Sequence, residues 1–328
     1  MTAAAAHDAA VREALRPIAL EAIEAARGRI GSEVVRTPLI GLAEEPVQLF
    51  AKLENLQPIG SFKLRGAGNA MALADPAKLE DGVYTASAGN MAQGVAWNAK
   101  RRGIPCAVIV PDHAPAAKLA AVERLGARVV KVPFGRWWQV MVEHGHPDFD
   151  GVFIHPFADP AVIAGNGIIG LEIMEDAPQV QAVIVPWGGG GLSVGIASAV
   201  KAIRSEVRVF AAEAETAAPF AASLAAGQPV TIDYTASWVD GIGGGSVLDE
   251  IWPLASSLLD GSITVSLEQV ADAVRLLASN GVVAEGGGAA SVAAALMGKA
   301  GNSGVVAVVS GGNIDAHVLG TILSGGNP

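Results

Sequence analysis

The feature that most constrains the fold of this chain is a repeated order of segments, in which a short apolar run is followed at once by a glycine-containing polar loop. The runs at 83–86, 182–186 and 305–309 precede the loops SAGN, WGGGGL and SGGN. These runs lack a regular polar alternation, which is typical of parallel strands that are buried on both faces. Loops at the carboxyl ends of parallel strands line a common crevice where ligands bind. The order therefore predicts an α/β protein with one pocket at the strand ends.

Strands and helices are expected to alternate along most of the chain, and this alternation predicts parallel sheets. The predicted strands are 47–54, 83–86, 106–110, 128–132, 182–186, 207–213 and 305–309. Helices are predicted at 91–103 and 267–281, and a surface helix is predicted over the alanine-rich start. We predict two open parallel-sheet α/β domains with a ligand in the cleft between them. The large domain is expected to comprise residues 1–78 and 157–328, and the small domain residues 79–156.

The composition argues against several classes of protein. Of 328 residues, 51% are apolar and 16% are charged, which is typical of a compact enzyme rather than a disordered chain. A net charge of −10 argues against nucleic-acid binding, which requires clustered Lys and Arg. No apolar run approaches the roughly 20 residues of a membrane span, and the start lacks the pattern of a signal peptide. The lone cysteine, Cys106, is typical of a reducing compartment, so a cytoplasmic protein is expected.

Two motifs together point to a cofactor. The glycines at 188–191 leave backbone N–H groups free to bind an anion at the start of a helix, because no side chain prevents close approach. Lys63 lies in GSFKLRG, beside Phe62 and between two glycines. An amine in such a setting is desolvated, which lowers its pKa and makes it nucleophilic. An amine and an anion site in one crevice predict a phosphorylated aldehyde that Lys63 holds as a Schiff base.

Three other motifs suggest different functions. GLSVG, at 191–195, matches a hydrolase nucleophile motif with Ser193 as the nucleophile, and Asp315 and His317 follow it. GNGIIG, at 165–170, does not follow a strand, so helix packing is predicted there rather than a dinucleotide site. The HGH sequence at 144–146 has no further spaced ligands and is predicted to be a solvated loop. No metal site is predicted.

The chain resembles the fold type II pyridoxal-phosphate family, in the branch of threonine and serine dehydratases and serine racemase. The similarity extends from Arg36 to Asp315. It rests on the ordered motifs RTPL, KLENLQPIGSFKLRGAGNA, ASAGNMAQGVA, GARVV, VIVPWGGGGLSVGIA, VDGIGGG, EGGGAASVAA and VVSGGNID. The resemblance implies a tryptophan synthase β-like fold and pyridoxal 5′-phosphate as the cofactor.

The resemblance also implies a role for individual residues. Lys63 resembles the Schiff-base lysine and the Cα base, and Phe62 resembles the residue packed on the pyridine ring. Asn90 resembles the partner of the phenolic oxygen, and Ser310 the neutral partner of the pyridine nitrogen. The phosphate loop corresponds to Gly188, Gly189, Gly190, Gly191 and Leu192. Gly241 matches the loop over the other face of the ring, and the substrate carboxylate site corresponds to Ser87 with the backbone of Ala88, Gly89 and Asn90.

Several positions depart from the family pattern. Ala88 replaces a serine that can act as a second base in the racemases, which favours a dehydratase. Met91 replaces a frequent histidine, and Trp137 and Trp138 stand where relatives usually carry polar residues. The two tryptophans either form an aromatic wall for the substrate or belong to the core or a dimer surface. Near the family's divalent-cation site the chain keeps Glu213 but has Pro219 in place of an acidic ligand.

The sequence therefore predicts a pyridoxal-phosphate-dependent dehydratase that converts a β-hydroxy-α-amino acid to a 2-oxo acid and ammonia. The predicted substrate has an apolar side chain, as in threonine or a bulkier aryl analogue such as phenylserine. An amino-acid racemase, a serine hydrolase that uses Ser193 and a non-catalytic amino-acid-binding protein remain as alternatives. A homodimer or larger homo-oligomer is expected.

Overall fold

The computed structural model describes residues 14–328, except for the side chains of residues 116–118, and the predicted helix at the alanine-rich start lies outside the described residues. The α-helices are α1 (Leu20–Ile30), α2 (Lys63–Leu73), α3 (Pro76–Leu79), α4 (Asn90–Arg102), α5 (Ala116–Arg124), α6 (Phe134–Glu143), α7 (Pro160–Asp176), α8 (Gly191–Ile203), α9 (Pro219–Ala226), α10 (Trp252–Leu258), α11 (Leu267–Ser279), α12 (Gly286–Leu296) and α13 (Ala316–Leu323). The strands are β1 (Leu39–Ala43), β2 (Leu49–Leu53), β3 (Val83–Ala86), β4 (Cys106–Pro111), β5 (Arg128–Val132), β6 (Val152–Phe153), β7 (Ala182–Pro186), β8 (Arg208–Ala214), β9 (Gly261–Val265) and β10 (Val305–Val309).

The strands form two sheets. The larger has the order β1-β2-β10-β7-β8-β9, and all its pairs are parallel except β1 with β2. The smaller has the order β5-β4-β3-β6 and is parallel throughout. The predicted α/β fold with parallel sheets is confirmed. All four strands of the smaller sheet fall within residues 79–156, while the domain boundaries at 78 and 156 stay predictions.

Every predicted strand is present within a few residues, but β1, β6 and β9 were not predicted. All three lie at the edge of a sheet. Their residues are largely half-buried, whereas every residue of β3, β7 and β10 is buried. An edge strand therefore does not need the continuous apolar run that marks a central strand.

The topology brings the predicted loops together. Strands β2, β10 and β7 are neighbours in parallel register, with Val309 opposite Leu53 and Ala307 opposite Ile184. Their carboxyl ends consequently lie side by side. One end leads to α2, one to the SGGN loop and one to the glycine loop before α8. The loop after β3 in the smaller sheet supplies SAGN.

A buried network of charges anchors α2, the helix that begins at Lys63. Arg65 pairs with Glu54 and with Glu172 of α7, each at 2.8 Å, and Lys52 pairs with Glu172 at 2.7 Å. The side chains of all four residues are at most 4% exposed. Removing one partner from such a network leaves an uncompensated buried charge and costs about 3–5 kcal/mol. The network therefore holds α2, and with it Lys63, in a fixed position.

Helix α7 contains the GNGIIG sequence, and its glycines permit close helix packing. A Cβ atom on Gly165 would lie 2.5 Å from the carbonyl oxygen of Arg65, and one on Gly170 would lie 2.8 Å from the Cβ of Ala199. Both distances are too short for a side chain, so α7 can approach α2 and α8 only with glycine at these positions. The prediction of helix packing is confirmed. No helix among residues 14–328 combines the length and the apolar character needed to cross a membrane.

Candidate active site

Lys63 is the first residue of α2, and its amine faces a cleft of about 410 Å³ lined by loops of both sheets. The Lys63 Nζ donates a hydrogen bond to the carbonyl oxygen of Pro156 at 2.8 Å and lies 5.1 Å from the centre of the Phe62 ring. Burial lowers the pKa of this amine to about 8, although the carboxylate of Glu285 opposes the shift. The neutral, nucleophilic amine is therefore accessible near neutral pH.

All of the site residues predicted above line this cleft, with the exception of Trp138. The glycine loop, the SAGN loop, Gly241 and Ser310 thus come together from four separate stretches of the chain. Among the described side chains, the titratable ones in the lining are Lys63, His113, Asp240 and Glu285. This part of the cleft consequently combines one amine with an open anion site and few charges.

The glycine loop between β7 and α8 is shaped by contacts that exclude side chains. A Cβ atom on Gly189 would overlap the ring of Phe157, and one on Gly191 would overlap the backbone of Phe157. Gly190 has a φ of 89°, in the left-handed region that favours glycine. No side chain caps the N-terminus of α8, so the N–H groups of its first turn and the positive end of the helix dipole are available to an anion. This loop fits the phosphate of the implied cofactor.

The Asn90 side chain is held at both ends. Its Nδ2 donates to the Oε1 of Glu285 at 2.7 Å, and its Oδ1 accepts from the Nδ2 of Asn313 at 2.8 Å. Glu285 was not predicted as a site residue, although EGGG had been noted as a family motif. An acidic residue at a helix start is already explained by its favourable interaction with the helix dipole, and this local explanation conceals a side chain that faces the cleft.

The side of the cleft formed by the smaller sheet carries a group of apolar side chains. Phe134, Trp137 and Met141 lie on one face of α6, at the three- and four-residue spacing of a helix, and Met91 from α4 joins them in the lining. The rings of Phe134 and Trp137 are 5.6 Å apart, and the indole nitrogen of Trp137 is buried without a hydrogen-bond partner. Phe134 and Met141 were not predicted, although the helical spacing from Trp137 indicates them.

Trp138 does not line the cleft, which corrects the prediction that both tryptophans belong to the substrate site. One residue along an α-helix turns the side chain by about 100°, so Trp137 and Trp138 point in different directions. Trp138 packs beside Trp137 against the apolar cluster that also contains Val140 and Met141, with 6.3 Å between the two indole rings. The aromatic wall is therefore Trp137 with Phe134.

Ser193 is not placed as a nucleophile. Its side chain is fully buried in α8, and its Oγ donates to the carbonyl oxygen of Pro186 at 3.2 Å. Asp315 caps α13 through the backbone N–H groups of His317 and Val318, at the exposed surface. A nucleophile must reach the solvent-accessible site, so the hydrolase interpretation is wrong.

The HGH sequence is not a solvated loop, because His144 and His146 are partly buried. His144 Nε2 is 2.8 Å from a carboxylate oxygen of Glu250, and its ring is 4.3 Å from that of His155. Together they form the one group of potential metal ligands among the described residues. His155 is poorly suited to ligation, however. Its Nδ1 accepts from two backbone N–H groups and its Nε2 contacts the carbonyl oxygen of Met141.

The carboxylate of Glu213 is already saturated by donors from the chain itself. It accepts from the backbone N–H groups of Phe220 and Ala221 at the start of α9, and from the Ser262 hydroxyl at 2.6 Å. Burial raises the pKa of this carboxyl, which opposes the charged form that a cation requires. These contacts do not fit a divalent-cation site, and the absence of a metal stays a prediction.

Comparison with known proteins supports the assignment that the geometry suggests. The family model described as pyridoxal-phosphate dependent enzyme matches residues 30–311. An L-threonine ammonia-lyase of Thermotoga maritima is 39% identical over 321 residues, covering 94% of this chain and 79% of the relative. A serine racemase of Oryza sativa is 35% identical over 319 residues, with 92% of each chain covered. The solved structure of maize serine racemase superposes with a TM-score of 0.86 at 33% identity and covers 94% of this chain and 98% of its own.

The family match extends over most of the chain, from the segment before β1 to the SGGN loop. It includes Lys63, the glycine loop and Asn90, which the fold brings to one cleft. The loop fits a phosphate and the desolvated amine fits an aldehyde, so the residues present agree with the cofactor of the family. The chain belongs to the family of pyridoxal-phosphate-dependent enzymes.

Proposed function

We propose that this protein is a dehydratase, or ammonia-lyase, that converts a β-hydroxy-α-amino acid to a 2-oxo acid and ammonia. The similarity to the threonine ammonia-lyase supports this class of reaction. The observation that carries the proposal is the pairing of Lys63, a desolvated amine in the cleft, with Ala88, which has no group able to transfer a proton. A site with one well-placed base suits elimination better than racemisation, which needs a proton delivered to the opposite face.

Pyridoxal phosphate, when bound, supplies the electron sink that makes the Cα proton of an amino acid acidic. Lys63 would hold the cofactor, and its neutral amine is the group in the cleft that could accept that proton. Ser310 lines the cleft with a neutral hydroxyl, which could not hold a pyridine nitrogen protonated as a carboxylate would. Such a setting would favour loss of the β-hydroxyl together with the Cα proton. The water lost is regained when the released enamine hydrolyses to the 2-oxo acid and ammonia.

The backbone of the SAGN loop is proposed to bind the substrate carboxylate. Gly89 adopts φ −114° and ψ −138° just before α4, which exposes backbone N–H groups at the start of that helix. The Ser87 hydroxyl accepts from the backbone N–H of Gly89 at 3.2 Å and stabilises the turn. A carboxylate in this position would face Lys63 across the cleft.

The substrate side chain is proposed to be apolar and large, as in phenylserine. Met91, Phe134, Trp137 and Met141 form the apolar wall next to the SAGN loop, and no charged residue interrupts this face of α6 in the lining. Burying an aryl ring against such groups contributes about 1.5–3 kcal/mol relative to leaving it in water. A small hydroxymethyl side chain, as in serine, leaves this wall uncovered.

A racemase is the second candidate, because serine racemases are among the similar proteins. An assay that follows ammonia, 2-oxo acid and D-isomer together distinguishes the two reactions. The proposed function predicts ammonia and 2-oxo acid in equal amounts and much slower formation of the D-isomer. Comparable rates of racemisation and ammonia release would contradict it. Ala88→Ser should shift the ratio towards racemisation, because it introduces into the cleft lining the hydroxyl that the resemblance assigns to the second base of the racemases.

We also propose a cytoplasmic homodimer or larger homo-oligomer, as the sequence predicts. Leu56 and Val283 are about half exposed, at 51% and 48%, and the side chain of Asn55 donates to the backbone of Val283. Sedimentation equilibrium of the purified protein tests this proposal, and a monomer at micromolar concentration would contradict it.

A further inference from the structure

Glu285 occupies the N-cap position of α12 but does not cap that helix. Its backbone is extended, with φ −76° and ψ 163°, and its side chain makes no hydrogen bond to the first turn. The carboxylate instead turns towards the cleft, where Oε1 accepts from the Nδ2 of Asn90 at 2.7 Å. The positive end of α12 stabilises a negative charge at this place. Glu285 therefore presents its carboxylate to the cleft and to the Asn90 amide.

Two glycines from other loops make room for this carboxylate. A Cβ atom on Gly311 would overlap the Oε1 of Glu285, and one on Gly241 would lie 3.3 Å from it. The backbone N–H of Glu285 also donates to the carbonyl oxygen of Gly311 at 3.1 Å. The two glycine loops thus leave room for the carboxylate, and the contact to Asn90 from a third loop holds it there.

The ionised carboxylate determines how the Asn90 amide is oriented. A carboxylate can only accept hydrogen bonds, so the amide must present its NH₂ group to Glu285. At the other end, Asn313 donates from Nδ2 both to the Oδ1 of Asn90 and to the carbonyl oxygen of Ile59, at 2.8 and 2.9 Å. The carbonyl oxygen of Ile59 and the carboxylate of Glu285 can only accept hydrogen bonds. The amides of Asn313 and Asn90 between them therefore have one consistent orientation. The Asn90 NH₂ keeps a second N–H that can serve a bound group.

We propose that Glu285 is a positioning residue for the cofactor. Its carboxylate holds the Asn90 amide so that the NH₂ group is directed at an oxygen of pyridoxal phosphate. Without the carboxylate, only the contact from Asn313 opposes a half-rotation of the Asn90 amide, and the reversed amide, which presents its carbonyl oxygen to the cofactor, becomes less unfavourable. Two oxygens would then face each other, and the hydrogen bond to the cofactor would be lost. The proposal depends on the pyridoxal-phosphate site alone and is independent of the reaction and the substrate proposed above.

The test is the dissociation constant of pyridoxal phosphate, measured by equilibrium dialysis on the cofactor-free full-length protein. Glu285→Gln keeps the size of the side chain but can donate as well as accept, so one of the two contacts that orient the Asn90 amide is lost and only the contact from Asn313 remains. We expect the dissociation constant to rise by about tenfold, the effect of one lost hydrogen bond. The matched control is Glu268→Gln, which changes an exposed acid in the first turn of α11 and should leave the dissociation constant unchanged.

A double-variant cycle separates positioning from a structural role. If Glu285 acts through Asn90, Glu285→Gln should change the dissociation constant by less than about twofold when Asn90→Ala is already present. The melting temperature of the cofactor-free protein should stay near that of the wild type in each variant. Equal weakening in both backgrounds, or unchanged affinity in the single variant, would overturn the proposal.

A shorter acid gives a second route if the glutamine variant does not fold. Glu285→Asp keeps the charge, but its side chain is one methylene shorter, which lengthens the 2.7 Å contact to Asn90. We expect a smaller rise in the dissociation constant, of about threefold, because the carboxylate still excludes the reversed amide. Affinity equal to that of the wild type would again overturn the proposal.

Discussion

The two walls of the cleft differ in the groups that they present, which are backbone groups on one side and side chains on the other. The wall on the side of the larger sheet is mostly backbone, namely the glycines at 188–191 with the first turn of α8. The wall on the side of the smaller sheet is mostly side chain, with Phe134 and Trp137 as its main surfaces; Met91 also lines it but is only 2% exposed. A backbone cradle depends on packing and cannot change without the fold, whereas a side-chain wall can change by single substitutions. Cofactor binding should therefore be tied to the fold, and substrate preference to a few replaceable residues.

The largest effect on activity is expected from a substitution of Lys63, which lines the cleft together with both walls. Lys63→Ala should lower turnover by at least about 10³-fold, because it removes the covalent attachment and the base together. The visible absorbance of the bound cofactor should also be lost, and both are measured on the purified protein. Lys201→Ala is the matched control, since that amine pairs with Asp260 at 2.8 Å on the outside of α8. A Lys63→Ala variant with substantial activity would contradict the account.

The glycine loop should show which contacts belong to the fold and which to the cofactor. Gly189→Ala places a Cβ against the Phe157 ring and should destabilise the cofactor-free protein by about 1–3 kcal/mol. Gly188→Ala meets no protein atom closer than 3.5 Å, so its Cβ fits the chain but intrudes on the cleft. It should leave the melting temperature of the cofactor-free protein unchanged and weaken pyridoxal-phosphate binding by about tenfold or more. If Gly188→Ala lowers the stability of the cofactor-free protein more than Gly189→Ala does, the assignment of Gly189 to the fold and of Gly188 to the cofactor site is wrong.

Substitutions in the side-chain wall should change the substrate preference and leave cofactor binding almost unchanged. Trp137→Ala should lower the specificity constant for phenylserine relative to serine by about tenfold, since a buried aromatic contact is lost. Its affinity for the cofactor should change little. Trp138→Ala is the control on the neighbouring position, because Trp138 lies outside the cleft lining. If Trp138→Ala alters the preference and Trp137→Ala does not, the assignment of the wall is wrong.

A smaller effect is expected in the pH dependence of stability. Burial lowers the pKa of Lys63 to about 8 from 10.5, so the folded cofactor-free protein loses this proton before the unfolded chain does. Its stability relative to Lys63→Met should therefore rise as the pH increases from about 8 to 10.5, and the gain should vanish as the pH falls through 8. Urea unfolding of the two cofactor-free proteins across this range measures the difference. A constant difference would show that the amine is not desolvated.

The parts that the sequence predicts well are those with local signals. Central strands such as β7 and β10 are recognised by their apolar runs, and the glycine loop by its composition and its place after a strand. Edge strands such as β9 were missed, because half-buried segments have no such run. Lys63 and Asn90 were found because each lies in a motif directly before a helix or after a strand.

The remainder depends on tertiary placement. Trp138 was assigned to the site because the phase of α6 cannot be known before the helix is packed, and the same uncertainty concealed Phe134. Glu285 was missed because an acid at a helix start has a sufficient local explanation. The contact between His144 and Glu250 joins positions 106 residues apart, and neither has a neighbour in the sequence that points to the other.

The central claim, that an apolar wall selects the substrate of a dehydratase, is tested most directly by the specificity constants of the wild-type protein. Release of 2-oxo acid from phenylserine, threonine and serine should be measured with the cofactor saturating and at one pH. The account predicts that phenylserine exceeds serine by roughly tenfold or more, the equivalent of burying its ring against Met91, Phe134 and Trp137. A higher specificity constant for serine than for phenylserine would contradict the claim.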